Sequence, residues 1–159
     1  MLTKRHLLLA LLPLSSPLLA EETEAGCAPI IQASQAKFSA PAFHDTMFES
    51  ASAKTPSGEF IKLGEKAWMK ADKGWMSIPT TLLSKMQNFD AAGFGMHNCK
   101  SLESGARTVY GWDLNVGGKV YAGSKLTVTE TGLPMKTETS NGAYTLTTYS
   151  NVTAPSGAQ

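Results

Sequence analysis

The chain has 159 residues, of which 42% are hydrophobic and 17% charged, a balance that fits a globular protein and excludes a disordered one. Its 14 basic residues nearly cancel its 13 acidic ones, and no run of Lys or Arg follows residue 5, which argues against nucleic acid or an anionic membrane surface as a partner. The length suits one domain with one core and leaves little room for two.

The N-terminus begins with Lys4 and Arg5, continues with the apolar stretch Leu7 to Leu12, and reaches Leu18-Leu19-Ala20. This is the plan of a cleavable secretory signal peptide over residues 1–20, with Glu21 as the new terminus. Pro13 and Pro17 interrupt the stretch, which is too short for a hydrocarbon layer of ~30 Å, so a retained anchor is not expected and no transmembrane segment remains after cleavage. Ala25-Gly26-Cys27 also fits the start of a lipidated protein, but Glu24 stands where such a signal wants an apolar residue. Two of the basic residues leave with the leader, so the mature 139 residues carry 12 basic and 13 acidic side chains and are close to neutral. The expected location is the periplasm.

Next comes the pair of cysteines. Cys27 and Cys99 are the two cysteines of the chain, and in an exported protein an even pair reads most simply as a disulfide. The functional alternative is a reactive thiol at Cys99 with His97 two residues before it as its base; in an extended segment the two side chains are expected on opposite faces.

Ala28 to Phe38 reads as a short amphipathic helix with Pro29 in its first turn, ended by Pro41. The chain then becomes extended, with strands expected over 42–53 and 59–63. Lys66 to Ala71 and Trp75 to Ile78 form a hairpin around Asp72-Lys73-Gly74, where Gly74 supplies a positive φ. Pro79 closes that strand, Thr80 or Thr81 caps a second helix, and Leu82, Leu83, Met86 and Phe89 share one side of it. Ala92-Gly93-Phe94-Gly95 breaks the helix before a short strand through Cys99 that turns near Ser104-Gly105. From Arg107 to Val152 the chain is rich in Thr, Val and Tyr, with turns at Gly117-Gly118, Gly132-Leu133-Pro134 and Asn141-Gly142. Residues 21–153 are thus one domain, and 154–159 a small, polar, disordered tail. The fold class is α+β: a curved antiparallel sheet of about eight strands wrapped over one or two helices.

Motifs for catalysis are missing. After the leader the histidines are His44 and His97, with no HExxH, CxxC or clustered carboxylates, so neither a metal nor another cofactor is expected. His44-Asp45 is the nearest approach to a constellation, but neighbours on a strand face opposite ways, so one buried and one exposed residue is the expected outcome rather than a dyad. No GxSxG, Walker loop or GxGxxG precedes a helix. Asn151-Val152-Thr153 matches the glycosylation acceptor pattern, which matters only in a eukaryotic secretory host. Soft apolar residues are abundant: Met47, Met69, Met76, Met86, Met96 and Met135, with Trp68, Trp75 and Trp112. Methionine adapts to irregular apolar partners, so these residues suit a lipid-lined cleft under the sheet as well as an ordinary core.

The order of features resembles the LolA-like superfamily of exported half-barrels, which includes lipoprotein carriers, and small exported proteins of bacteria. The residues that carry it are Cys27 and the helix ending near Lys37, Phe43-His44 on the first strand, Trp68-Met69-Lys70 and Asp72-Lys73-Gly74-Trp75 in the hairpin, Cys99, Val109-Tyr110, Ser124 to Val128, Gly132 to Glu138, and Tyr149 to Pro155. The resemblance implies an incomplete antiparallel barrel closed on one side by helices, with acyl chains held between them, and it carries over no catalytic residue. Phe43, Met47, Trp68, Met76, Leu83 and Met86 are the residues expected to line that space. Three readings follow: a non-catalytic carrier of a lipid or lipoprotein acyl chain, a module that binds an envelope protein through a filled core and an exposed patch, and, last, an enzyme centred on His44, Asp45 or His97.

Overall fold

The structure, a computed structural model, describes residues 24–71, 73–87 and 95–157. The expected leader, Glu21, Glu22, Asp72, Phe89, the expected helix breaker at 92–94 and residues 158–159 lie outside these. A single 3-10 turn, Ala25–Cys27, leads into α1 (Ala28–Ser39); then come β1 (Ala42–Phe48), β2 (Gly58–Leu63), β3 (Lys66–Ala71), β4 (Gly74–Ile78), α2 (Thr80–Gln87), β5 (Met96–Glu103), β6 (Arg107–Val116), β7 (Lys119–Thr129), β8 (Pro134–Glu138) and β9 (Tyr144–Thr148). All nine strands join one open antiparallel sheet in the order β4-β3-β2-β1-β9-β8-β7-β6-β5. The expected sheet and helices are therefore present, with nine strands among the described residues.

Two meanders make up the sheet, β1–β4 and β5–β9, and they meet only where β1 pairs with β9, from His44 opposite Thr148 to Phe48 opposite Tyr144. Register assigns the faces. Phe43, Asp45 and Met47 on β1 oppose Lys62, Phe60 and Gly58 on β2, so these six share one face. Both helices pack on that face. Cys27, Ile30 and Ala33 from the 3-10 turn and α1 are buried with Met96, Leu126 and Val128 beneath the second meander, while Leu83 of α2 is buried with Phe43, Phe60 and Ala67 beneath the first. α1 ends where expected: Pro41 forces Ala40 into an extended conformation, and the Ala40 amide closes the last turn on the Ala36 and Lys37 carbonyls.

Turn chemistry is as anticipated at Gly74, Gly117-Gly118 and Gly132, all with positive φ. Asn141-Gly142 differs in detail. Only Gly142 is left-handed, and the bonds Gly142 N–H to Thr139 C=O and Thr139 N–H to Ala143 C=O define a three-residue loop with Gly142 at its bulge position. The β7–β8 loop repeats the same pattern with Thr129, Gly132 and Leu133. β1 stops at Phe48, shorter than expected, and 49–57 form the connection to β2.

Cys27 and Cys99 form the expected disulfide, with Cα atoms 5.1 Å apart and a sequence separation of 72. Strand alternation does not send His97 and Cys99 to opposite faces as expected, because residues two apart on a regular strand share a face. A bulge separates them instead. β5 advances three residues from His97 to Lys100 while β6 advances two from Asp113 to Gly111, and Asn98 takes φ of 55°. Met96 and Cys99, three apart, consequently both pack against the core. Asp113 ties this bulge to a second one on the other side of β6. One carboxylate oxygen accepts from Asn98 Nδ2 and the other from the amide of Gly123, both at 2.8 Å, and Gly123 is the left-handed residue where β7 slips against β6. These bonds hold the Asp113 carboxyl below its usual pKa, the Asn98 bond contributing most.

Two outcomes follow. Reduction of the disulfide is expected to lower stability by about 4 kcal/mol in the chain-entropy estimate for a loop this long, read by urea denaturation with and without reductant. Asp113→Ala is expected to raise amide exchange at Gly123 and Asn98 together while leaving Gly132 unchanged; exchange confined to one of the two would show that the bulges are not coupled through this carboxylate.

Candidate functional site

Phe43 is the centre of the helix-side cluster, with no exposed surface. Its ring stacks on Phe60 at 5.6 Å between centroids and meets the edge of Phe38 at 5.5 Å. Met47, Met86, Ile78 and Tyr149 pack around it, and Leu83 seals it from α2. Four of the six residues expected to line a cleft, Phe43, Met47, Leu83 and Met86, thus converge. Met76 lies on the same face, opposite Met69, but both stay exposed toward the last strand of the sheet, at 50% and 37%. Trp68 does not join them. It opposes Ile61 and Ser77, which puts it on the other face, where it lines a cleft with Ala154 and Pro155. Ala67, with 1% exposure, takes the inward position because Phe43 and Phe60 already fill the room there.

Polar groups are set into this apolar layer. Asp45 is buried on the inward face and its two oxygens are divided: Oδ2 receives the Lys37 ammonium from α1 at 2.5 Å, and Oδ1 receives the Thr147 hydroxyl from β9 at 2.6 Å. The same ammonium lies 4.9 Å from the Phe43 ring centroid. Tyr149 donates to the Pro134 carbonyl at 2.8 Å, and burial, with the nearby Asp45 charge, pushes its phenol well above the ordinary tyrosine range. Lys62 is 4% exposed; its ammonium donates to the Ala40 carbonyl at 2.7 Å, and burial pulls its pKa below that of an ordinary lysine. Beside it a cleft of about 670 Å³ opens between the end of α1, the β2–β3 turn and the start of α2, lined by Phe38, Lys62, Glu65, Thr80, Leu83 and Ser84 among others.

The opposite face carries a different constellation. Glu59 bridges His44 Nε2 at 2.9 Å and Lys70 Nζ at 2.6 Å, and Lys70 lies 5.8 Å from the Trp75 ring centroid. Adjacent His44 and Asp45 therefore serve opposite faces with separate partners and do not form a dyad. Residues 150–156 run along the rim of a cleft of about 450 Å³ over this cluster, so Ala154 to Ser156, assigned from sequence to a disordered tail, lie beside the sheet here. Among the described residues no group of three or more His, Cys, Asp or Glu converges as a metal site, and no helix is long and apolar enough to cross a membrane.

No family model matches the chain, and no curated protein matches it significantly. Sequence reasoning missed Phe60, Lys62 and Lys37. Strand alternation in Glu59-Phe60-Ile61-Lys62 places Lys62 beside Phe60 on one face, so an inward Phe60 was the available signal for an inward lysine.

Three measurements check this assignment. Phe43→Ala is expected to cost about 3–5 kcal/mol in urea unfolding, the range for a fully buried aromatic, whereas a loss under 1 kcal/mol would mean that the cluster is not the core of this half. Asp45→Ala, which strands the Lys37 ammonium, is expected to cost a similar ~3–5 kcal/mol, with much of it regained when Lys37→Met is added. For Glu59, the Lys70 hydrogen bond is the largest influence and holds its carboxyl below 4.5. A depressed folded pKa gives stability that is present above the unfolded value and lost as pH falls through the folded one. The stability difference between the native chain and Glu59→Gln should accordingly shrink on titration from pH 7 to pH 3; a difference that grows would invert the assignment.

Proposed function

We propose that this chain is a non-catalytic, exported periplasmic protein that binds an apolar ligand, such as a lipid or a lipoprotein acyl chain, between sheet and helices, as a half-barrel of the LolA-like kind it resembles. The observation that carries the reading is the methionine-rich helix side of β1–β4 and α2. Met47 and Met86 join the Phe43 cluster, and Met69 and Met76 continue the same face outward as exposed apolar surface. Four flexible thioethers around rigid rings form a surface that adapts to a chain of variable shape. The cleft beside Leu83 gives such a chain a way in. The leader and the Cys27–Cys99 bond support export.

One observation favours the second reading, a protein-binding module. Phe43, Phe60, Ala67 and Leu83 are closed on one another as a filled core, while Val116, Val120 and Tyr121 at the tip of the β6–β7 hairpin are exposed at 49%, 60% and 40%. That is exposed apolar surface suited to a partner protein.

The deciding experiment is native mass spectrometry of the mature protein purified gently from periplasm, followed by denaturation. Co-purified lipid released on unfolding is the expected result. An empty protein, together with weakened partner binding in Val120→Lys, would replace this reading with the second one.

A further inference from the structure

Lys62 presents an unresolved charge. The residue is buried on the helix-side face, and its ammonium, with three donors, gives one to the Ala40 carbonyl at 2.7 Å. The buried acid on the same face, Asp45, is already engaged by Lys37 and Thr147. Among the described residues no carboxylate pairs with Lys62, and Glu65, which lines the same cleft, is exposed on the turn after β2. A cation drawn out of water without a counter-ion is destabilising unless something restores the lost solvation. The burial that depresses its pKa is the same cost seen from the side of the proton.

The cleft supplies the place for what is missing. Thr80 and Ser84 add hydroxyl groups to its wall, and the Ser84 hydroxyl donates to the Thr80 carbonyl at 2.9 Å. Phe38 and Leu83 add apolar surface, and both also pack in the Phe43 cluster, so the cleft leads from a cationic group to the apolar layer. A ligand that satisfies both ends has an anionic head and a hydrocarbon tail.

We infer that this cleft binds the anionic head group of a single-chain amphiphile, a carboxylate or a phosphate, with Lys62 as its counter-ion and the tail directed toward Phe38 and Leu83. The inference rests on the apolar-ligand reading and adds the class of ligand. Lys62 then has two roles: one N–H secures the end of α1, and the remaining donors are held for the anion. Glu65 at the rim works against an anion and limits affinity.

The test is calorimetric titration of the mature, disulfide-bonded protein with decanoate, decyl phosphate and neutral 1-decanol, all below their aggregation concentrations. Both anions are expected to bind at least tenfold more tightly than decanol. Lys62→Met should bring them to the decanol level, Lys62→Arg should retain part of the preference, and Glu65→Gln should raise anion affinity. The tighter of the two anions identifies the head group as fatty-acid carboxylate or phospholipid-type phosphate. Equal affinity for all three would overturn the inference and leave the apolar-ligand reading standing, with Lys62 serving only to cap α1; no binding by any would overturn both. Should Lys62→Met not fold, the assigned Lys62 Cε signal of the unmutated protein decides: a shift with decanoate but not decanol is expected, and no shift would overturn the assignment.

Discussion

The pairing of β1 with β9 is the contact on which the rest of the molecule depends. Each meander is built from neighbours in sequence, but the seam joins residues about 100 positions apart, such as Asp45 and Thr147. Both faces reinforce it. On the helix side the Asp45 carboxylate takes the Thr147 hydroxyl across the seam, and on the other side Phe48 stacks on its partner Tyr144 with centroids 4.6 Å apart. Without the seam there are two half-sheets, each with one helix, and the Phe43 cluster of the first is parted from Tyr149, which follows β9.

The helices make the halves interdependent. α1 is bonded through Cys27 to β5 at the far end of the sheet, packs beneath the second meander, and then delivers the chain to β1 in the first. Its last turn carries Lys37, whose ammonium reaches Asp45 next to the seam. The ion pair therefore fixes three elements at once, α1, β1 and β9. The nearby cleft inherits its shape from that arrangement, since Phe38 is the residue after Lys37 and Ala40, the acceptor for Lys62, comes two residues later.

Much of the fold was legible because glycine, proline and hairpin spacing are local signals, and the two helices and most strand boundaries follow from them. What escaped was set by distant partners. Trp68 and Ala67 are adjacent, and the sequence offered no reason to send the larger residue outward; the reason is that Phe43 and Phe60, from other strands, occupy the inner space. Cys99 faces the core because Asn98 inserts one residue into β5, and that bulge depends on Glu24, whose carboxylate receives the Asn98 amide, and on Asp113, fifteen residues away. Of the expected lining residues, those on β1 and α2 converge, while Trp68 was lost to parity. Lys62 was overlooked because a single lysine in a strand reads as a solvent-facing residue unless its neighbours' faces are known.

The placement of the disulfide also imposes a timetable. At synthesis rates of about 5–20 residues per second, the 72 positions between Cys27 and Cys99 correspond to roughly 4–14 s. All of β1–β4 and α2 emerges in that interval, long compared with the microseconds a hairpin needs to form. The first meander can gather while Cys27 is still a lone thiol at the leading end, exposed to any other thiol it meets. Only the arrival of β5 ends that vulnerability, and only β9, last of all, turns a stapled pair of fragments into one sheet.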